Sequence, residues 1–329
     1  MSEESTRLFL KHSGVQVPLI CGAMYPCSNP ELVAAVSAAG AMGIVQPLSI
    51  VYANKMDFRE GLKRIKELSG GKPFGMNVLT EQSSQIYLDR MKKWVDVALD
   101  EGCRFFVTAL GNPSWIVKTV KPLGGYVYHD VTEKKWAQKA VDAGVDGLIC
   151  VNNRAGGHAG TLNPEKLVEE LLTFGIPLIR AGGVGDAHGF MESLSQGYAG
   201  VQMGTRFIAT TECTAHDDYK QAILKATEKD IVLTEKLTGV PVSIIKTAYI
   251  EKIGTQAGPL GKWLLKHPKL KHWMRLYYSL ISFRELKNAS KGGLGYKDYW
   301  QAGKSVSAIQ SIESAGSIVA RCAEAWRKK

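Results

Sequence analysis

The sequence predicts a (β/α)8 barrel with a small, mostly helical cap inserted after strand 8, the barrel taking residues 1–210 and 300–329 and the cap 211–299. Three observations lead there. Between Pro18 and Phe207, short apolar runs bounded by glycine alternate with amphipathic helical patterns, as parallel βαβ units do. The turn after the first run is Gly22-Ala23-Met24, without the Gly-x-Gly-x-x-Gly signature that an open dinucleotide-binding sheet places there. The last two runs empty into glycine-rich loops, where such barrels commonly hold a phosphate.

Strands are expected at 18–22, 43–46, 74–78, 105–108, 126–129, 147–151, 177–180 and 200–203, each rich in Val, Ile, Leu or Phe. Helical periodicity fills the gaps, most clearly at 29–39, 84–100, 132–143 and 164–174. Gly102, Gly144 and Gly175 follow three of these helices, as helix C-termini prefer. After Phe207 the alternation stops: 212–228 reads as helix, 241–249 is open between helix and strand, and 254–295 is rich in Lys, Trp, Tyr, Gly and Pro. A final helix over 301–326 returns to the barrel.

Composition narrows the class further. At 329 residues, 45% hydrophobic and 22% charged, the chain is long enough for a sizeable core and ordinary for a globular protein. The polar start carries Glu3 and Glu4 with no signal-peptide apolar region, and no run approaches the roughly 18 apolar residues of a membrane span. A cytoplasmic protein is the expectation. Six cysteines are scattered without a Cys-x-x-Cys pair or histidines at ligand spacing, so they read as reduced thiols and no metal is expected.

The net charge of +10 is uneven: residues 251–329 hold 15 Lys and Arg against 5 Asp and Glu, which accounts for the whole surplus. Its densest part is the basic aromatic segment 262–275. That segment reads either as cap helices with lysines in water or as a contact for a membrane surface, an acidic carrier or an anionic substrate. No nucleic-acid-binding motif accompanies it.

In a barrel, the loops after the strands converge on one face. The chemistry-bearing positions in order are Ala23-Met24, Gln46-Pro47, Asn77, Ala109 to Asn112, His129-Asp130, Gly156-Gly157-His158, Ala181-Gly182-Gly183 and Gly204-Thr205. His158 is the one imidazole in a glycine loop, able to act as general base or hydrogen-bond donor near neutrality. His129, at a strand end, reads as a structural histidine. The loops Arg180 to Val184 and Gln202 to Arg206 supply glycines and a threonine hydroxyl for an anion.

Gly22-Ala23-Met24, Gly75-Met76-Asn77, Ala155-Gly156-Gly157-His158, Ala181-Gly182-Gly183 and Gln202 to Phe207 together resemble the flavin-dependent nitronate monooxygenase (2-nitropropane dioxygenase) family. The flavin-dependent enoyl-acyl-carrier-protein reductase is a relative of that family. The resemblance runs from about Pro18 to Lys246 and resumes at Tyr299 to Lys304. It implies FMN, with its phosphate at Gly182, Gly183, Gly204 and Thr205, its ring edges at Asn77 and Gln202, Ala23 and Met24 beneath the ring, and Gly156 close to it. It also implies that His158, as the active-site histidine, handles the substrate's α-proton or orients an anionic nitronate, with dioxygen as the final electron acceptor. Lys304, in a family-like Ala302-Gly303-Lys304, would attract an anionic substrate or else sit on the surface.

Two positions depart from the family pattern. Arg154 stands where many relatives carry an acid, and Val151 where they carry glutamine. The alternatives are an NAD(P)H-dependent FMN reductase acting on an enoyl thioester or quinone, and a barrel binding a phosphorylated ligand without redox chemistry. Oligomeric state is open.

Overall fold

The computed structural model describes residues 2–81, 85–234, 241–255 and 300–328. Strands β1 (Leu19–Cys21), β2 (Met42–Val45), β3 (Phe74–Thr80), β4 (Phe105–Gly111), β5 (Tyr126–Val131), β6 (Gly147–Val151), β7 (Leu178–Ala181) and β8 (Gly200–Met203) pair in parallel in sequence order. β8 pairs back onto β1, Ile20 opposite Gln202, and the sheet closes as a TIM barrel. Strands this short are possible because both faces are buried. Ile20, Met42, Ile44, Phe105, Val107, Tyr128, Ile149 and Ile179 fill the barrel interior. Their strand neighbours Val45, Met76, Phe106, Val127 and Leu148 face the surrounding helices.

The helices in chain order are α1 (Ser2–Ser13), α2 (Pro30–Ala38), α3 (Phe58–Leu68), α4 (Gln85–Asp100), α5 (Ser114–Val120), α6 (Lys134–Asp142), α7 (Pro164–Leu171) and α8 (Ala187–Ser195). Their starts are chemically marked. Asn163 accepts from the Lys166 amide with Pro164 in the first turn of α7, and Asp186 accepts from the Gly189 amide at α8. α1 falls in the polar N-terminal stretch, where no element was expected. It closes the N-terminal end of the barrel: Phe9 is fully buried, edge-on to Phe105 at 6.0 Å and to Tyr128 at 5.8 Å.

The expected final helix over 301–326 is shorter than predicted. A 3-10 turn at Lys304–Ala308 and an irregular stretch precede a helix at Ala315–Arg327, which Ser314 caps by accepting from the Ser317 amide. The serines at 305, 307, 311 and 314 compete with helical hydrogen bonding, which favours a late start.

After β8 come α9 (Thr205–Ile208) and α10 (Asp217–Lys225), then the antiparallel pair β9 (Ile231–Thr234) and β10 (Val242–Ile245), then α11 (Ala248–Ile253). The open reading at 241–249 therefore resolves into a strand followed by the start of a helix, so the described part of 211–299 is a mixture of helix and sheet. The basic aromatic segment 262–275 lies outside the described residues.

All six cysteines are buried and free, and burial pushes the Cys103 thiol up to about 12, which leaves it inert as a nucleophile. Among the described residues, no helix is long and apolar enough to cross a membrane, and no cluster of His, Cys, Asp or Glu could hold a metal ion.

Candidate active site at the mouth of the barrel

The inward-facing positions of the strands can be followed to the C-terminal rim, because side chains alternate along a strand. Two residues beyond Ile20, Ile44, Val107, Tyr128, Ile149, Ile179 and Gly200 lie Gly22, Gln46, Ala109, Asp130, Val151, Ala181 and Gln202; on β3 the equivalent is Asn77. All eight line one cavity of about 1010 Å³. The barrel thus ends in a ring carrying four polar side chains, Gln46, Asn77, Asp130 and Gln202.

Two of these carry buried acceptor atoms without a partner. Gln202 Oε1 and Asp130 Oδ1 find no hydrogen bond among the described residues. Such atoms are costly unless a ligand satisfies them. Gln202 lies over Gly22, where a Cβ would come within 3.0 Å of its Cγ, so the glycine makes room for the amide.

Asp130 was named from the sequence among the strand-end positions but given no role. The pair His129-Asp130 was visible at a strand end, but only the alternation from Tyr128 places the carboxyl inward. Burial raises its pKa from the ordinary 3.8 to about 7. Between about pH 4 and 7 the folded protein then keeps a proton that the unfolded chain has lost. Stability falls with rising pH across that window, by about 1.4 kcal/mol per unit at most, and levels off above it. His129 acts oppositely. It shares a 2.7 Å hydrogen bond with Thr108 Oγ1, and burial holds its pKa near about 4, so its contribution is lost as pH falls below the ordinary histidine range. Comparing Asp130→Asn with wild type cancels the histidine effect. We predict that the variant gains thermal stability over wild type progressively from pH 4 to 7, and a pH-independent difference would show that the carboxyl is not desolvated.

The loop after β6 is built from backbone contacts. Asn152 Oδ1 accepts from the Arg154 amide at 2.8 Å while its Nδ2 donates to the Gly182 carbonyl at 3.1 Å, tying this loop to the next. Gly182 has φ +114°, and a Cβ there would lie 2.6 Å from both the Ala155 nitrogen and Asn152 Oδ1; Gly183 has φ +82°. Two consecutive positive φ values are accessible only to glycine at small cost. On the other side, β10 pairs with the loop: the Ser243 amide donates to the Gly157 carbonyl at 2.8 Å. Ala302 and Gly303 close it from behind, since a Cβ on Gly156 would lie 2.8 Å from the Gly303 nitrogen.

His158, at the end of this loop, opens onto the cavity, and the protein around it lowers its pKa by desolvation, favouring a neutral imidazole. Ala23, Met24, Asn77, Gly156, Gly182, Gly183, Gln202, Gly204 and Thr205 line the same cavity. Thr205 Oγ1 accepts from the Gly303 amide at 3.0 Å, leaving its own proton to donate. Lys304 is not among the lining residues. Its amide donates to the Arg154 carbonyl at 2.9 Å, so it fastens the loop from behind while Gly303 and Ser305 reach the cavity. Arg154 packs its side chain over Gly183 and pairs with Glu228. Tyr219 and Gln301 also line the cavity, though neither was singled out as a site residue from the sequence.

Residues 6–272 match the nitronate monooxygenase family model. The chain belongs to the nitronate monooxygenase family. A (3aS,4S,5R,7aS)-5-hydroxy-7a-methyl-1-oxo-octahydro-1H-indene-4-carboxyl-CoA dehydrogenase of Rhodococcus jostii is 29% identical over 73% of this chain and 65% of its own length. The chain thus spans just under two thirds of that relative. A probable nitronate monooxygenase of Staphylococcus saprophyticus is 26% identical over 73% of this chain and 78% of its own length. Among solved structures, FabK from Thermotoga maritima superposes with a TM-score of 0.77 at 27% identity, covering 97% of this chain and 96% of that one.

Proposed function

We propose that this nitronate monooxygenase family member is an FMN-dependent oxidoreductase that oxidises a small anion of the nitronate class with dioxygen. One observation carries the reading: a single cavity joins a side-chain-free cradle at Gly182, Gly183 and Gly204 to buried acceptors left without protein partners at Gln202 and Asp130. A phosphate suits the first and a polar heterocycle the second. A flavin bound there would supply the two-electron redox chemistry between substrate and dioxygen.

The side chains divide the remaining work. The Thr205 hydroxyl would donate to the phosphate, Asn77 and Gln202 would hold the ring's polar edges, and Ala23 and Met24 would pack against the ring. His158, neutral near pH 7, accepts the substrate's α-proton at a ring nitrogen or donates to the anion. Asp130 in its protonated form donates one O–H to an acceptor oxygen. Lys304 adds positive charge behind the loop, and the described part of 211–299 caps the barrel's mouth, which the pairing of Ser243 with Gly157 supports.

A second reading, dehydrogenation of a coenzyme A thioester, is favoured by the cavity's volume, at the upper end of the about 300–1,000 Å³ usual for small-ligand sites. It also matches the named activity of the Rhodococcus relative. Anaerobic titration of the FMN-loaded protein separates the readings. Bleaching by propionate 3-nitronate or alkyl nitronates is expected, and a flavin that no nitronate reduces would exclude the first reading; reduction by NADH alone would point to the reductase alternative.

A further inference from the structure

The cavity does not stop at the rim. It continues as an outer lobe past the ends of β4 and β5 to Leu110, Trp136 and Lys139, reaching α6 on the outside of the barrel.

Its lining has a definite chemistry. Trp136 and Leu110 are 44% and 50% exposed, large apolar side chains that a soluble surface does not ordinarily leave open together at a cavity mouth. The Lys135 and Lys139 ammonium groups lie 5.2 and 4.8 Å from the centre of the Trp136 ring. The ring thus holds two cations at the opening of the lobe. Neither lysine has a carboxylate within salt-bridge distance among the described residues. Leu110 itself is held at φ +60°, a conformation rare for leucine, with its carbonyl accepting from Thr80 Oγ1.

We propose that the lobe formed by Leu110, Trp136 and Lys139, with Lys135 at its edge, binds the phosphorylated adenine-nucleotide portion of a second ligand whose reactive end reaches the barrel's mouth. The phosphates neutralise the two ammonium groups, and the base covers the apolar surfaces of Trp136 and Leu110. Two ligands share this chemistry, a coenzyme A thioester and a reduced nicotinamide dinucleotide. The proposal rests on the cavity being the active site, as proposed above, but it does not depend on which flavin reaction occurs there.

Isothermal calorimetry on the full chain as purified tests it with coenzyme A and NADH as separate titrants. Because it reads binding directly, it gives an answer whether or not the flavin assignment holds. At least one nucleotide is expected to bind with an affinity that declines as salt is raised, and the Lys135→Glu/Lys139→Glu variant is expected to bind it roughly tenfold or more weakly. Trp136→Ala, which removes the ring and leaves both charges, is expected to weaken binding as well. Heat with coenzyme A alone marks a thioester site, heat with NADH alone a nicotinamide site, and heat with both the shared nucleotide chemistry. No binding of either nucleotide, or an affinity that neither salt nor the charge reversal changes, would overturn the proposal.

Discussion

Replacing His158 with alanine lowers kcat/KM by about 10²–10⁴-fold, the range lost when a positioned acid–base group is removed. Bound flavin stays near the wild-type amount, because the loop's position is set by backbone contacts to Asn152, Ser243 and Gly303 and not by the imidazole. Steady-state kinetics with a nitronate, read together with flavin content, check both halves of this expectation. The pH profile carries a further sign. Burial lowers the His158 pKa, so its neutral form persists further into acid than for an exposed histidine. The acidic limb of the wild-type profile that belongs to this group is expected below the usual histidine range and absent from the variant. An unchanged rate in His158→Ala would remove the histidine from the chemistry.

The second large effect is expected at Gly182. Any side chain there must adopt φ +114° and put its Cβ 2.6 Å from the Ala155 backbone nitrogen, in the loop that carries His158. The backbone strain alone is worth about 1–3 kcal/mol, and the clash is with backbone that cannot rotate away. If FMN binds as proposed, Gly182→Val loses most of it, and the variant unfolds at a lower temperature with the loops after β6 and β7 both displaced. The flavin-to-protein ratio after purification and a thermal melt read the two effects separately. A variant that retains stoichiometric FMN would mean that the cofactor's phosphate lies elsewhere.

The barrel was legible because its local signals agree: apolar runs two to five residues long, glycines after the helices, and loops that change character only at the strands' C-terminal ends. The rim was legible residue by residue wherever glycine, asparagine or histidine stood out, as at Gly156, Asn77 and His158. Asp130 was harder to see, because its role depends on a strand alternation that a shift of one residue would reverse. α1 was missed because its amphipathic signal is dominated by charges, and the barrel is plugged by the single buried aromatic Phe9. The final helix was drawn too long because its apolar spacing continues through residues whose backbone is committed elsewhere, Ala302 and Gly303 lying against the His158 loop. The pairing of Ser243 with Gly157 is a contact between segments far apart in sequence, which no local pattern encodes.

The departure at Arg154 also acquires a physical content. Its guanidinium pairs with Glu228 while its side chain packs against Gly183, so much of its charge is met by the carboxylate.

Whether the cradle and the polar rim hold FMN as one unit is tested most directly by equilibrium binding of FMN compared with riboflavin to the flavin-depleted protein. The two ligands share the ring system and differ in the phosphate. FMN is expected to bind tightly and in equimolar amount, with riboflavin weaker by an order of magnitude or more. Equal affinity for the two, or no retention of either, would contradict it.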